Sequence, residues 1–363
     1  MRREWATEPL AAHSVEWINA RQEEVHVFKS QGQRSPIALE LSKSSMRLIQ
    51  LSSVSTAPAV HAAATLPAAK GILEEGPLDE SALRRLKDAL KHGKFSGTQC
   101  TLSLPASAVF TECVEVPALA WDELRESVAW TAVDRLGVEK DELVAGHLGV
   151  RNGTLGGSTQ EVLVVAAHKS IVARALHLLS MAGLQTQRAE LGSIAAMRLC
   201  WQGSIDSGRL HPLGFLHLES DRASLALLGT HGLSYFRSFE WHTSADLDPD
   251  LVPVAGDEGD SKAWRWRQLG EHVLQCLRHV ERRTPGSWPE AIRVSGPLAE
   301  EPGLASAIGS VCGSAAEVFD TTKRVDWSSV PAGAGSRAAW TASIATLLGG
   351  ERSAQPRQTR RVA

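Results

Sequence analysis

Short apolar runs separated by a small polar turn lie near the start of the chain. The runs Ile37–Leu41 and Met46–Leu51 flank the segment Ser42-Lys43-Ser44-Ser45, and a third run lies near Val60–Leu66. Two short apolar runs joined by a small polar turn are typical of a β-hairpin. The pattern therefore predicts a three-stranded meander.

Apolar residues at helical spacing follow this meander. Asp79 or Ser81 can cap a helix that ends at Gly93, and the helix predicted from Trp121 to Leu136 turns Leu124, Val128 and Val133 inward. The same reasoning predicts further helices over residues 169–182, 193–201, 264–283, 302–312 and 338–348, and strands over 97–105, 109–117, 142–150, 160–167, 291–295 and 316–319.

The second half of the chain begins by repeating the pattern of the first. Leu213–Leu228 contains an apolar run, a polar turn and a second run, and Leu233–Phe239 supplies a third run after a turn at Gly229–Gly232. Self-similarity of this kind indicates a duplicated structural unit. Because helices follow each copy, we predict an α/β protein with two related lobes.

Three segments depart from these patterns. Residues 1–32 form a polar N-terminal extension with weak helical tendency, and residues 243–262 are rich in Asp, Pro and Gly, which predicts a solvated loop. The basic tail at 351–363 lacks periodicity, so we expect it to be disordered, with contact to anionic lipid as the alternative.

Length and charge narrow the class of protein. The 363 residues suffice for two lobes with separate cores, and the net charge of -3 provides no basic field for nucleic acid. The N-terminus lacks the apolar core of a signal peptide, and no run of about 18 apolar residues is present to span a bilayer. We therefore expect a cytosolic protein that reaches a membrane only through a partner.

The cysteines do not indicate a metal or redox centre. No Cys-x-x-Cys pair and no cluster of metal ligands occurs, so we expect no metal site and reduced thiols in apolar segments. The five cysteines are Cys100, Cys113, Cys200, Cys276 and Cys312.

Four stretches carry a resemblance to a known family. They are IALELSKSSMRLIQLS, TLSLPASAVFTECVEVPAL with the following WDELRESVAWTAVDRL, EVLVVAAHKSIVARALHLLSMAGLQTQRAELGSIAAMRL, and IRVSGPLAEEPGLASAIGSVCG. Over about residues 36–350 the chain resembles the type IV pilus assembly (PilM-like) branch of the actin/heat-shock-chaperone/FtsA superfamily. The resemblance implies an actin-like (ribonuclease H-like) fold with two lobes around a nucleotide cleft.

The resemblance also implies a division into parts. It predicts an inserted subdomain in the first lobe, as in FtsA. The expected boundaries are residues 33–104 and 159–202 for the first lobe, 105–158 for the inserted subdomain and 203–350 for the second lobe.

In this family the partner is a PilN-like bitopic membrane protein, bound through its short cytoplasmic N-terminus. The resemblance therefore implies a cytoplasmic scaffold at the inner face of the inner membrane, with the pilus motor ATPases as further partners. Because the family's peptide lies against the inserted subdomain, Trp121, Leu124 and Trp130 become the expected partner surface. Packing in the core is the alternative for Trp130.

Nucleotide binding in the superfamily relies on backbone N–H groups of two hairpin turns, on glycines that allow close approach, and on an aspartate that organises the hydrated metal. The first Asp-Ile-Gly reads Glu40-Leu41-Ser42 here, with Lys43 and Ser44 following. These residues still offer a carboxylate, hydroxyls and a cation, although a plain exposed turn remains the alternative.

The second hairpin and the adenosine side depart further from the family. His217 stands at the aspartate position and Glu219 at the glycine position, followed by Ser220, and Glu219 would repel phosphates. His217 is either a metal ligand or a strand histidine with its own partner. The adenosine turn reads Ser295-Gly296-Pro297-Leu298, and Glu271 is either near the nucleotide or on a solvated helix face.

These departures predict no cofactor, or ATP and magnesium bound weakly, and inefficient hydrolysis if any. The leading interpretation is a pseudo-ATPase scaffold. An active ATPase or kinase of the same superfamily, and a GspL-like or FtsA-like secretion or division component, are the alternatives.

Overall fold

The structure, a computed structural model, describes residues 16–17, 33–54, 57–74, 76–150, 158–208, 211–229, 232–241, 258–328, 330 and 336–348. The basic tail, the rest of the N-terminal extension and most of the predicted loop at 243–262 lie outside these residues. Within the described part, no helix is both long and apolar enough to cross a membrane.

The first sheet has six strands. They are β1 (Glu16–Trp17), β2 (Ile37–Leu41), β3 (Ser45–Val54), β4 (Ala57–Pro67), β5 (Gln99–Leu104) and β9 (Gln185–Leu191), in the spatial order β1-β9-β5-β2-β3-β4. Strands β2, β3 and β4 form the predicted antiparallel meander, and β5 and β9 continue the sheet in parallel.

The second sheet repeats the first. Its strands are β10 (Leu213–Leu218), β11 (Arg222–Gly229), β12 (Gly232–Glu240), β13 (Ala291–Ser295) and β14 (Ala315–Val318), in the order β12-β11-β10-β13-β14. This is the arrangement of β4-β3-β2-β5-β9, with a meander followed by two parallel strands. The predicted duplication is confirmed.

Burial explains why the two copies share one sequence pattern. Every residue of β2 (IALEL) and of β10 (LGFLHL) is buried, because each is the central strand of its sheet and is covered on both faces. The apolar runs at these positions therefore mark the centres of the two lobes.

Seven α-helices are described: α1 (Glu80–His92), α2 (Trp121–Leu136), α3 (Lys169–Met181), α4 (Gly192–Asp206), α5 (Glu258–Arg283), α6 (Leu304–Cys312) and α7 (Thr341–Leu348). Asp79 caps α1 by accepting the Ser81 N–H at 2.8 Å. The start of α5 lies six residues before the predicted one, within the segment that we expected to be a loop. Acidic residues such as Glu258 and Asp260 favour the first turn of a helix.

Helix α7 corrects the predicted lobe boundary. Residues 203–350 were expected to form the second lobe, but α7 packs on β2, β3 and β5 of the first sheet. Helix α4, in contrast, contacts β9 of the first sheet and β10 of the second. The last described helix therefore returns to the first lobe.

A small third sheet forms the inserted subdomain. Its strands are β6 (Phe110–Pro117), β7 (Leu143–Val150) and β8 (Thr159–His168), in the order β6-β8-β7, and α2 packs on β7 and β8. The predicted boundary at residue 158 is therefore wrong, because β8 belongs to this sheet. Strand β8 is the central strand and runs straight into α3, so the pattern alone gave no break between the units.

The N-terminal extension also joins the fold at one point. Glu16 and Trp17 pair in parallel with Arg188 and Ala189 of β9. These two residues of the extension therefore join the first sheet as a strand, whereas the sequence indicated only a weak helical tendency for residues 1–32.

All five cysteines are free thiols. Cys100, Cys200, Cys276 and Cys312 are buried and Cys113 is half-buried. Burial raises the pKa of the Cys100 thiol to about 12, which keeps it protonated and unreactive.

Candidate functional site: the cleft between the lobes

Two hairpin turns face each other across the cleft. Residues 42–44 join β2 to β3, and residues 219–221 join β10 to β11. Lys43 Nζ lies 3.5 Å from Asp221 Oδ2, so an ion pair connects the turns. Because 58% of the Lys43 side chain and 28% of that of Asp221 are exposed, water screens the pair, which contributes at most about 1 kcal/mol.

A cavity of about 150 Å³ lies beside the turns. It is smaller than the roughly 300–1,000 Å³ of typical small-molecule sites. The predicted site residues that line it are Glu40, Ser42, Ser44, Glu219 and Ser220. The structure thus brings together most of the residues that the sequence singled out.

The hydroxyl of Ser42 is used within its own turn. Its Oγ accepts the Ser45 N–H at 3.0 Å and lies 3.1 Å from the Ser45 hydroxyl. Its backbone N–H donates to the Ser45 carbonyl at 2.8 Å. These bonds close the turn tightly, so the Ser42 groups are committed to the hairpin.

Glu40 is buried and has partners on both carboxylate oxygens. Arg47 Nη1, from the paired position on β3, donates to Oε1 at 2.9 Å, and Ser343 Oγ of α7 donates to Oε2 at 2.5 Å. A carboxylate held in this way is neutralised by Arg47. It can organise a hydrated metal only if these bonds break.

Glu219 forms the central contact across the cleft. Both of its carboxylate oxygens accept the backbone N–H of Ala106, at 3.0 Å each, from the segment that follows β5. Burial raises the pKa of Glu219 to about 8, opposed by the Ala106 N–H and reinforced by the charges of Glu40 and Asp221. Glu219 thus places its own side chain on a backbone donor that a bound anion would otherwise use.

His217 has its own partner within the second sheet. Its Nδ1 lies 2.8 Å from Ser295 Oγ, at the paired position on β13. Burial, followed by the charge of Arg47, lowers the pKa of His217 to about 4, so the ring is neutral near pH 7. Within the described part of the chain, no three His, Cys, Asp or Glu residues lie close enough together to hold a metal.

The turn after β13 has a strict need for glycine. Gly296 has φ +98°, and a Cβ at this position would lie 2.1 Å from the Leu218 carbonyl oxygen. Its N–H donates to the Ala338 carbonyl at 3.1 Å. Gly296 therefore packs two backbone segments together, while the next residues, Pro297 and Leu298, line the cavity.

The sequence reasoning did not single out several residues that line the cavity, among them Ser103 and Gly192. Ser103 is fully buried and its Oγ has no hydrogen-bond partner among the described residues. A Cβ on Gly192, at the start of α4, would lie 2.5 Å from that oxygen. The available signal was a glycine at the junction of a strand and a helix, where a chain often approaches a neighbour closely.

Glu271 does not belong to this cavity. Its carboxylate lies 3.6 Å from Arg267 Nε and accepts from Gln268 Nε2 at 3.3 Å, both on α5. It is not among the residues that line the cavity. Its position therefore agrees with the second alternative, a glutamate on a solvated face of the helix.

The residues of the expected partner surface do not share one environment. Leu124 is only 6% exposed and packs in the core of the inserted subdomain, so its place on an outer surface is wrong. Trp130, in contrast, is 55% exposed, which removes the core alternative for this residue. Trp121 begins α2, and its side chain lies outside the described part.

Two lobes with duplicated sheets of this topology, around a shared cleft, define the actin-like fold. No protein-family profile and no curated protein matches the sequence. Among solved structures, a chain of the PilM-PilN type IV pilus biogenesis complex is similar over 87% of this chain and 98% of its own length. The TM-score is 0.70 at 20% identity, which confirms the predicted fold.

Two more distant structures are also similar. One is a Bacteroides thetaiotaomicron protein with an actin-like ATPase fold, at TM-score 0.45 and 10% identity over 80% of this chain and 91% of that one. The other is the cytoplasmic domain of EpsL, from the type II secretion system of Vibrio cholerae, at TM-score 0.46 and 10% identity over 86% and 94%.

Proposed function

We propose that this chain is a cytoplasmic scaffold of a type IV pilus platform, held at the inner face of the inner membrane by a PilN-like membrane protein. The cytoplasmic N-terminal segment of that protein would be its ligand. The fold shared with a chain of the PilM-PilN complex supports the proposal. The observation that carries the proposal is the hydrogen bond from the Ala106 N–H to Glu219. This bond occupies, within the cleft, a backbone donor that a phosphate would need.

The chemistry of the cleft argues against efficient ATP hydrolysis. A triphosphate or its metal would have to break the bond between Glu219 and the Ala106 N–H and the bonds that hold Glu40 to Arg47 and Ser343. The cavity is also small. Protein contact is therefore the use that this architecture supports best, with ATP and magnesium bound weakly or not at all.

A titration tests the proposal. The full chain is titrated with the N-terminal cytoplasmic peptide of a PilN-like protein from the same organism, and with a scrambled peptide as control. We expect saturable binding of the native peptide in the micromolar range, without added ATP. Absence of saturation at about 1 mM would contradict the proposal. Co-purification with the pilus motor ATPases tests these further partners.

An active ATPase or kinase is the second candidate. The buried Ser103 hydroxyl, which lacks a partner in the described structure and faces the cavity, favours a small polar ligand there. Calorimetry with ATP and magnesium, together with a phosphate-release assay, decides between the two. Micromolar binding with turnover would establish the second candidate.

A further inference from the structure

The small sheet of the inserted subdomain has two faces with different neighbours. Val162 and Val164 of β8 pack with α2, in the core of the subdomain itself. Successive side chains of a strand point to opposite faces, and Leu163 and Val165 belong to the large apolar core that also contains Phe236 of β12. Strands β6 and β7 both pack on β12. The subdomain, which the chain inserts in the first lobe, is therefore packed on the second lobe as well.

Two polar contacts accompany this packing. The Cys113 Sγ–H of β6 donates to the Phe236 carbonyl at 3.4 Å. Arg283 Nη1, at the end of α5, lies 3.6 Å from Glu161 Oε1 of β8. The Glu161 side chain is 9% exposed, and burial raises its pKa, which the charge of Arg283 opposes. The second lobe thus supplies a cation to a largely desolvated carboxylate of the subdomain.

A third contact lies where the subdomain begins. A single residue, Pro105, separates β5 from residues 106–108, which pack on β11 of the second lobe. The Ala106 N–H donates to both carboxylate oxygens of Glu219 in the cleft. The subdomain therefore contacts the second lobe at β11, at β12 and at the end of α5.

We propose that the inserted subdomain bridges the two lobes and keeps the cleft closed. The bridging contacts are those of Ala106, Cys113 and Glu161 with the second lobe. Because the chain connects the subdomain to the first lobe at both of its ends, the second lobe can rotate away only if these contacts break together. The cavity of about 150 Å³ then belongs to the closed state. This inference does not rest on the proposed function.

The protein contains a natural reporter of the bridging contacts. Cys113 is half-buried among them, and burial raises the pKa of its thiol to about 11. It should therefore react slowly with a maleimide while the contacts are closed. Cys100 is buried in the core of the first lobe and reacts only when the protein unfolds globally. Mass spectrometry measures the modification rate of each cysteine in the full chain.

Loss of the ion pair should open the bridging contacts. In Arg283→Glu, like charges meet at Glu161, and we expect modification of Cys113 to accelerate about tenfold. Hydrogen exchange of the Ala106 amide should accelerate by the same factor, because one movement exposes both groups. Arg283→Gln removes the cation only and should accelerate both rates about threefold.

Two controls isolate the effect of the charge pair. Arg282→Glu makes the same change at the neighbouring residue, which is exposed and forms no ion pair within the described part of the chain. It should leave both rates nearly unchanged. The exchanged pair Glu161→Lys with Arg283→Glu should return both rates to within about threefold of those of the unaltered chain. A loss of local packing alone would not be repaired in this way.

The rates also show whether the contacts open as one unit without unfolding. In the unaltered chain and in each variant, Cys113 and Ala106 should respond together, and Cys100 should react far more slowly than Cys113. If Cys113 reacts only as fast as Cys100, global unfolding alone breaks the contacts and the inference is overturned. Acceleration at only one of Cys113 and Ala106 in Arg283→Glu, or at neither, also overturns it.

Discussion

The carboxylate of Glu219 and the backbone N–H of Ala106 meet across the cleft, at 3.0 Å from each carboxylate oxygen. Glu219 lies in the second lobe, and Ala106 lies between β5 of the first lobe and β6 of the inserted subdomain, 113 positions away along the chain. Lys43 and Asp221 form a weaker contact between the first and second lobes. The cleft is therefore held together by the chain's own groups, and this arrangement leads to two of the predictions below.

The stability of the protein should depend on pH through Glu219. Its pKa is raised from 4.5 to about 8, chiefly by burial, with Glu40 and Asp221 adding to the rise and Ala106 and Arg222 opposing it. Between these values the unfolded chain releases a proton that the native chain keeps. The free energy of unfolding should therefore fall as pH rises through this window, by a few kcal/mol in total.

Urea unfolding of the unaltered chain and of Glu219→Gln, from about pH 5 to about pH 9, measures this effect. As pH rises, the free energy of unfolding of the unaltered chain should fall steadily relative to that of Glu219→Gln. Parallel curves would show that Glu219 titrates normally and is not buried as the structure shows.

Replacing Glu219 by glycine should improve ATP binding. The change removes a carboxylate from the cleft and releases the Ala106 N–H, while glycine permits close approach of a phosphate. We expect the affinity for ATP with magnesium to increase at least about tenfold in calorimetry. Glu115→Gly, at an exposed glutamate of β6 that does not line the cavity, is the matched control and should leave the affinity for ATP unchanged.

Arg47 should be essential for stability because it neutralises Glu40. Replacing it by methionine keeps much of the apolar bulk but leaves a buried carboxylate without its charge partner. We expect Arg47→Met to lower the free energy of unfolding by about 3–5 kcal/mol. Arg135→Met removes the exposed partner of the half-buried Glu112, a pair that water screens, and should cost less than about 1 kcal/mol. Similar losses for both variants in urea unfolding would argue against a buried pair.

Replacement by alanine should lower the free energy of unfolding strongly at one residue of α2 and only slightly at another. Leu124 lies in the core of the inserted subdomain, so Leu124→Ala should lower the free energy of unfolding by about 2–5 kcal/mol. Trp130→Ala should alter it by less than about 1 kcal/mol, because the ring is mostly exposed. Urea unfolding of both variants makes the comparison. A large loss for Trp130→Ala would mean that the indole packs inward.

The duplicated lobes could be predicted because their signal is local. Short apolar runs and small polar turns fix β2–β3 and β10–β11 without reference to distant parts of the chain. The residues of the two turns were found for the same reason. Whether they bind a nucleotide stays a prediction, since their contacts describe only how the chain holds itself together.

The errors have a common physical cause in contacts between residues far apart in sequence. Nothing near Glu219 indicates that it reaches Ala106, and nothing near Ser343 places α7 against Glu40 in the first lobe. Trp130 was ambiguous because apolar and polar residues are mixed around α2, so spacing did not distinguish the buried face from the exposed one.

Strand β8 ends at His168 and helix α3 begins at Lys169, with no linker between them. The central strand of the small sheet therefore continues directly into a helix that packs in the first lobe. A displacement of the small sheet would therefore be passed along β8 to α3 directly, because no linker residue separates the two elements. The inserted subdomain and the first lobe should thus shift together and not as two independently hinged bodies.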